Sequence, residues 1–118
     1  MTDERTRTGR LGEDAALAVY RLRGFVPVAR NWRCRVGELD LIVRRGDLLV
    51  ICEVKTRRGA AFGGGYEAVT AKKRAKVRAT AEAFLLTTRT RPGSVRFDVA
   101  SVLLGPRGPE VELFEDAF

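Results

Sequence analysis

The chain has 118 residues, 45% of them hydrophobic, and a formal net charge of +7. That suffices for one domain with a packed core, and the basic balance points to a polyanionic partner, nucleic acid first. Histidine is absent, which excludes His-dependent zinc sites, histidine general bases and Ser-His triads.

Cys34 and Cys52 lack metal-type spacing and are expected as reduced thiols in a cytosol. Any metal therefore falls to oxygen ligands, which favours magnesium or manganese. No apolar run approaches the roughly 20 residues that span a bilayer, and no basic helix has the bulky aromatic face of a membrane-surface binder. MTDERTRTGR leads into no apolar signal core, so a cytoplasmic protein is expected. Residues 1–7 are expected to be mobile, ahead of a single domain over 8–118.

In chain order, helical spacing begins near Gly9, with Leu11, Ala15, Val19 and Leu22 on one stripe, Thr8 as N-cap and Gly24 as terminator. FVPVARNWRC (25–34) reads as a strand with Pro27 at an edge. GELDLIVRRGDLLVICEVKTR (37–57) reads as a hairpin. RRGAAFGGGYE (57–67) has the glycine content of a flexible connection, and its glycines lack the Gly-Lys-Ser/Thr ending of a P-loop. A second helix is expected after Thr70 toward Thr87, burying Ala71, Ala75, Val77, Ala81, Phe84 and Leu85. VRFDVASVLL (95–104) reads as a central strand, GPRGP (105–109) as a turn and VELF (111–114) as a last short strand. This order fits an α/β sandwich with a mixed sheet.

The hairpin carries the chemistry. A two-residue Gly46–Asp47 loop sets Arg45 opposite Leu48. Asp40 then lies opposite Glu53, and Glu38 opposite Lys55, with all four side chains on one face. Directly opposed residues have Cβ atoms about 4.5–5.5 Å apart, and like charges so placed destabilise a sheet. A bound divalent cation, protonation of one acid, or a neighbouring lysine or arginine would each relieve this. A metal-binding acidic site and a solvated, salt-bridged sheet face both remain open on these residues alone.

Lysine usage adds a hint. The chain has four lysines against eighteen arginines, and three of the four are Lys72, Lys73 and Lys76 of the second helix. The fourth is Lys55, beside the acids. An ammonium changes its pKa readily and a guanidinium does not, so this choice reflects either chemistry or chance. Lys72, Lys73, Arg74, Lys76 and Arg78 form a run without an acid, suited to phosphate contacts or to a solvated face. Arg57 and Arg58 follow Lys55 after the single residue Thr56 and are expected near the same site. Trp32, flanked by Arg30, Arg33 and Arg35, suits core packing better than base stacking.

GRLGEDAA, NWRCRVGELDLI, EVKTRR, EAVTAKKR, RFDV and the terminal EDAF, taken in order, resemble the YraN family of small bacterial nuclease-like proteins. That family is similar to the PD-(D/E)XK superfamily and, in fold, to archaeal Holliday junction resolvases. The resemblance spans Gly9 to Phe118. It implies a restriction-endonuclease-like αβββαβ core, with a central mixed sheet flanked by helices. It implies Asp40 and Glu53 as Mg2+ ligands, with Mn2+ as a substitute, and Lys55 as the residue that positions or activates water. It further implies Glu13 as an acid from the first helix completing the catalytic and metal site, and Glu38 as an accessory acid of the GE-x-D pattern. Leu39 stands where the superfamily signature has proline.

The expected activity is magnesium-dependent endonucleolytic hydrolysis of structured DNA, branched or partly single-stranded. The alternative is a nucleic-acid-binding protein that keeps the nuclease fold without cleaving, or, on charge alone, an RNA-associated protein. Analogy with resolvases allows a homodimer, of which the residues give no direct sign.

Overall fold

The structure, a computed structural model, describes residues 3–59 and 70–118. Its elements run α1 (Glu4–Leu22), β1 (Val26–Arg33), β2 (Glu38–Arg45), β3 (Leu48–Arg58), α2 (Ala71–Thr88), β4 (Ser94–Gly105) and β5 (Gly108–Phe114). The five strands form one sheet in chain order. β3 and β4 are parallel and the other neighbours antiparallel. A parallel pair needs a crossover, and α2 supplies it. The sheet lies between α1 on one face and α2 on the other, a mixed α/β sandwich consistent with a restriction-endonuclease-like core. Among the described residues, no helix is long and apolar enough to cross a membrane.

α1 starts earlier than its sequence suggests. Asp3 caps it, accepting from the Thr6 N–H at 2.8 Å, so residues 4–7 belong to the helix. Thr8 is not the cap; its hydroxyl accepts from Arg58 Nε at 2.7 Å. The end is where it was expected, with Gly24 at φ +88° just past the helix, the left-handed conformation glycine adopts without cost.

The buried stripe of α1 is displaced by about one residue from the expected one. Gly12, Glu13, Ala16, Leu17 and Tyr20 face the sheet, whereas Leu11 and Leu22 are 42% and 90% exposed. Gly12 explains the shift. A Cβ there would overlap the Thr56 side chain, lying 2.8 Å from both its Cβ and its Cγ2, so the helix meets β3 through a bare backbone. Gly12→Ala is therefore expected to destabilise the fold by about 1–3 kcal/mol, the usual cost of overpacking. Urea unfolding checks this, and an unchanged midpoint would contradict it.

On the α1 face, Leu41, Val43, Val50, Cys52 and Ala100 pack with Ala16, Leu17, Tyr20 and Phe25. On the α2 face, Leu39, Ile42, Leu49 and Ile51 pack with Val77, Ala81 and Phe84. Trp32 joins this second cluster, edge-on to Phe84 at 5.2 Å. β2 and β3 are covered on both faces, which is why their apolar residues run almost without interruption. β1 is an edge strand, with Pro27 beside a bulge before Ala29.

α2 begins after its Thr70 cap, which accepts from the Lys73 N–H at 3.2 Å, and ends at Arg89 in the left-handed region. Its buried side is Val77, Thr80, Ala81 and Phe84. Ala71 and Ala75 are exposed, contrary to expectation, because the first turns lie over an open cleft instead of the sheet. The glycine-rich connection falls almost wholly within residues 60–69, outside the described residues. Of its residues only Arg57, Arg58 and Gly59 are described; the first two belong to β3 and Gly59 follows at φ +80°.

The chain end is fastened by a buried carboxylate. Tyr20 Oη donates to Asp98 at 2.6 Å, Arg96 donates two bonds to it at 2.9 and 3.0 Å, and the Asp116 N–H donates at 2.9 Å. Phe118 packs on Phe97 with ring centroids 5.3 Å apart. RFDV and EDAF thus form one structural unit, and Asp98 is tolerated in the core because both of its oxygens accept hydrogen bonds.

Candidate functional site

Asp40 and Glu53 meet where the β2–β3 ladder opens. Backbone pairing follows the register expected of the two-residue loop, from Arg45–Leu48 to Leu41–Cys52, and stops there. Side chains then replace the ladder. Asp40 Oδ2 accepts from the Val54 N–H at 2.9 Å, and Glu53 Oε2 accepts from the Asp40 N–H at 3.4 Å. Each carboxylate is held by the other's strand, so the pair is preorganised.

The strands also lose step here. Leu39 and Ile42 are three apart yet both pack with the α2 cluster, and on β1 Ala29 and Trp32 do the same. Strict alternation would put such residues on opposite faces. Because Ala29 pairs with Ile42 and Trp32 with Leu39, the two strands break alternation together. Asn31, at φ +51°, lies within the β1 break, and the register sets Asp40 abreast of it.

A cavity of about 570 Å³ forms over the break, lined by Asp40, Glu53, Lys55 and Glu38 from the sheet and by Lys73 and Lys76 from α2. Burial raises the Glu53 carboxyl from 4.5 to about 7, helped by the charge of Asp40; Lys73 and Lys55 oppose the shift. Asp40 is likewise raised by burial, with Glu13 and Glu38 adding to it, against its bond from Val54 and the charge of Lys55. Lys55 is lowered, first by burial and then by Lys73 beside it. Two carboxylates that resist ionising and an amine that resists protonation thus share one cleft.

Glu38 lines the cavity but does not face Lys55. It pairs across β1–β2 with Arg33, at 2.8 Å, and the ladder that would have set it against Lys55 ends first. Glu13 sits on α1, buried, accepting at Oε1 from Asn31 Nδ2 at 3.0 Å and from Arg30 at 3.3 Å. Its charge is felt at Asp40, yet among the described residues no three His, Cys, Asp or Glu side chains converge.

The cations divide. Lys73 and Lys76 line the cleft, while Lys72 and Arg74 are exposed on the same turns. The first turn of α2 holds no acid, and cations at a helix N-terminus oppose its dipole at roughly 0.3–1 kcal/mol each. The positive potential is therefore concentrated at the cleft mouth. Arg78 points elsewhere, its guanidinium 4.7 Å over the Phe97 ring. Strand alternation gives Arg57 the side of Lys55 and turns Arg58 to the α1 face, where it pairs with Glu4 at 3.1 Å. Arg58 is thus away from the acids.

Three contributors were not anticipated. Asn31 orients Glu13. Thr80, buried, bonds the Lys76 carbonyl at 2.8 Å. A Cβ on Gly37 would come within 2.7 Å of Thr80 Oγ1, so glycine lets the β1–β2 turn lie against α2. The GE before LD was a visible signal for Gly37; Asn31 in a strand was another, since asparagine tolerates positive φ.

Fold and cleft define a class: a small mixed-sheet α/β protein with an opposed acid pair, an adjoining lysine and a cationic mouth. The model for Uncharacterised protein family UPF0102 matches residues 12–102. The chain belongs to that family, to which the YraN resemblance pointed. It is 49% identical over 96 residues to a UPF0102 protein of Parafrankia sp. (strain EAN1pec), covering 81% of each chain. It is 48% identical over 111 residues to one of Frankia alni, covering 93% of this chain and 92% of the relative. With one of Streptomyces coelicolor it shares 47% identity over 105 residues, 87% of this chain and 81% of the relative.

Proposed function

We propose that the protein is a magnesium-dependent endonuclease that hydrolyses phosphodiester bonds in structured DNA, branched or partly single-stranded. The observation that carries this is the Asp40–Glu53 pair, Glu53 buried and Asp40 half-buried, mutually repelling beside Lys55 in an open, basic-mouthed cleft. The donor set fits magnesium, which takes one or two carboxylates and keeps its other positions for water and phosphate. Asp40 and Glu53 would hold the ion, Mn2+ substituting, with Glu13 behind them. Such an ion lowers the pKa of a bound water and neutralises phosphate charge.

The chain's own groups supply the rest. Lys55, half-buried and reluctant to be charged, orients the attacking water or takes its proton. Lys73 keeps Lys55 reluctant and, with Lys76, receives the backbone phosphates. Among the described residues neither helix carries a base-reading row of side chains, which favours shape over sequence as the selected feature.

A second reading, a non-cleaving DNA-binding protein of the same fold, is favoured by the absence of a third converging acid among the described residues. Incubation with branched and flapped DNA in Mg2+ or Mn2+ separates the two. The nuclease reading expects cleavage by wild type that EDTA and Asp40→Ala each abolish. Equal absence of cleavage by wild type and Asp40→Ala, with both still binding DNA, would overturn it.

A further inference from the structure

We propose that Asn31 is a positioning residue for the acid cleft: its left-handed backbone brings its amide onto Glu13 and holds that carboxylate behind the Asp40–Glu53 pair. The inference rests on reading that pair as a divalent-cation site.

Positive φ is uncommon outside glycine, and asparagine is among the few residues that tolerate it. A strained residue persists where its surroundings over-determine it. Here the gain is specific. Under strict alternation Asn31 and Arg30 would point to opposite faces. With Asn31 at φ +51°, both reach α1. Asn31 Nδ2 and Arg30 Nη2 converge on the single oxygen Glu13 Oε1, at 3.0 and 3.3 Å. Arg30 is shared, since its other nitrogen holds the exposed Asp14 at 2.8 Å. Among the described residues, Asn31 donates its amide to Glu13.

Pinned through Oε1, the carboxylate is left with Oε2 to offer. Glu13 is not among the residues lining the cleft of the pair, and among the described residues no three acids converge, yet its charge still acts on Asp40. That is the placement of a group that meets a cation's water ligands and not the cation, and magnesium and manganese keep such waters. Residues in this outer position change metal affinity by about 10–100-fold.

Manganese titration of the whole, metal-free protein, followed by the EPR signal of free Mn2+, tests this. Asn31→Gly keeps the backbone conformation and removes the amide. It is expected to weaken Mn2+ binding about tenfold with the far-UV CD spectrum unchanged. Glu13→Gln, which leaves the backbone alone, is expected to lose a similar amount. Asn31→Gly in the Glu13→Gln background is expected to lose nothing further, because the two act as a unit. Unchanged affinity in either single variant, or additive losses in the double, would overturn the inference while leaving the cation site intact. No saturable Mn2+ binding by wild type would overturn the cation site and this inference together.

Discussion

Lys55→Met is expected to lower magnesium-dependent cleavage of branched DNA by about 10²–10⁴-fold, the usual contribution of a positioned acid or base, with DNA binding largely retained. Lys55 projects into the cleft from β3, and burial and Lys73 lower its pKa. Methionine preserves the length and apolar stem, so the fold is kept and only the amine is lost. The pH profile gives the sign. A lysine that accepts the water's proton must be neutral, so cleavage rises with pH toward a plateau above its folded pKa. Lys73→Ala removes a neighbouring positive charge, which raises the Lys55 pKa and moves that rise to higher pH. Single-turnover rates across pH check both variants. Cleavage by Lys55→Met at the wild-type rate would remove Lys55 from the chemistry.

Glu53→Gln is expected to stabilise the metal-free protein at neutral pH and to flatten its stability against pH. Burial and Asp40 push Glu53 up to about 7, so the folded state keeps a proton that the unfolded chain releases nearer 4.5. Stability tied to that proton is fully present below the unfolded pKa and lost as pH rises through the folded one. Metal-free wild type should therefore lose on the order of 1–3 kcal/mol across this window. Asp40 is raised too and acts in the same direction. Glutamine keeps an oxygen for the Asp40 N–H and removes the repulsion. Added Mg2+ should recover part of the wild-type loss and little in the variant. Urea unfolding in EDTA between about pH 4.5 and 7.5 is the check; parallel curves for the two proteins would contradict the account of the pair.

The hairpin register was legible because a two-residue Gly46–Asp47 loop leaves one way to pair, and each further pair follows. Both ends of α2 were legible because Thr70 caps it and nothing breaks the run to Thr88. The nearness of Asp40, Glu53 and Lys55 is legible because the hairpin register brings the two strands together there and like charges so close call for a reason. Local rules failed where partners are distant. Tyr20 and Asp98 are 78 residues apart, so periodicity alone puts the α1 stripe on Leu11, Ala15, Val19 and Leu22, when Gly12, Ala16, Leu17 and Tyr20 form the contact. Arg58 was assigned to the cleft by its neighbours in sequence, but a one-residue step along a strand reverses a side chain's face. The turn of Asn31 onto α1 needs a positive φ that composition permits without requiring. Glu38 was set against Lys55 by extending a ladder that the acid clasp had already opened.

The most direct measurement is the anomalous difference density of a crystal soaked in Mn2+ at neutral pH. A peak is expected at the Asp40 and Glu53 carboxylates, beside Lys55. No peak there, or manganese held only by acids elsewhere on the surface, would contradict it.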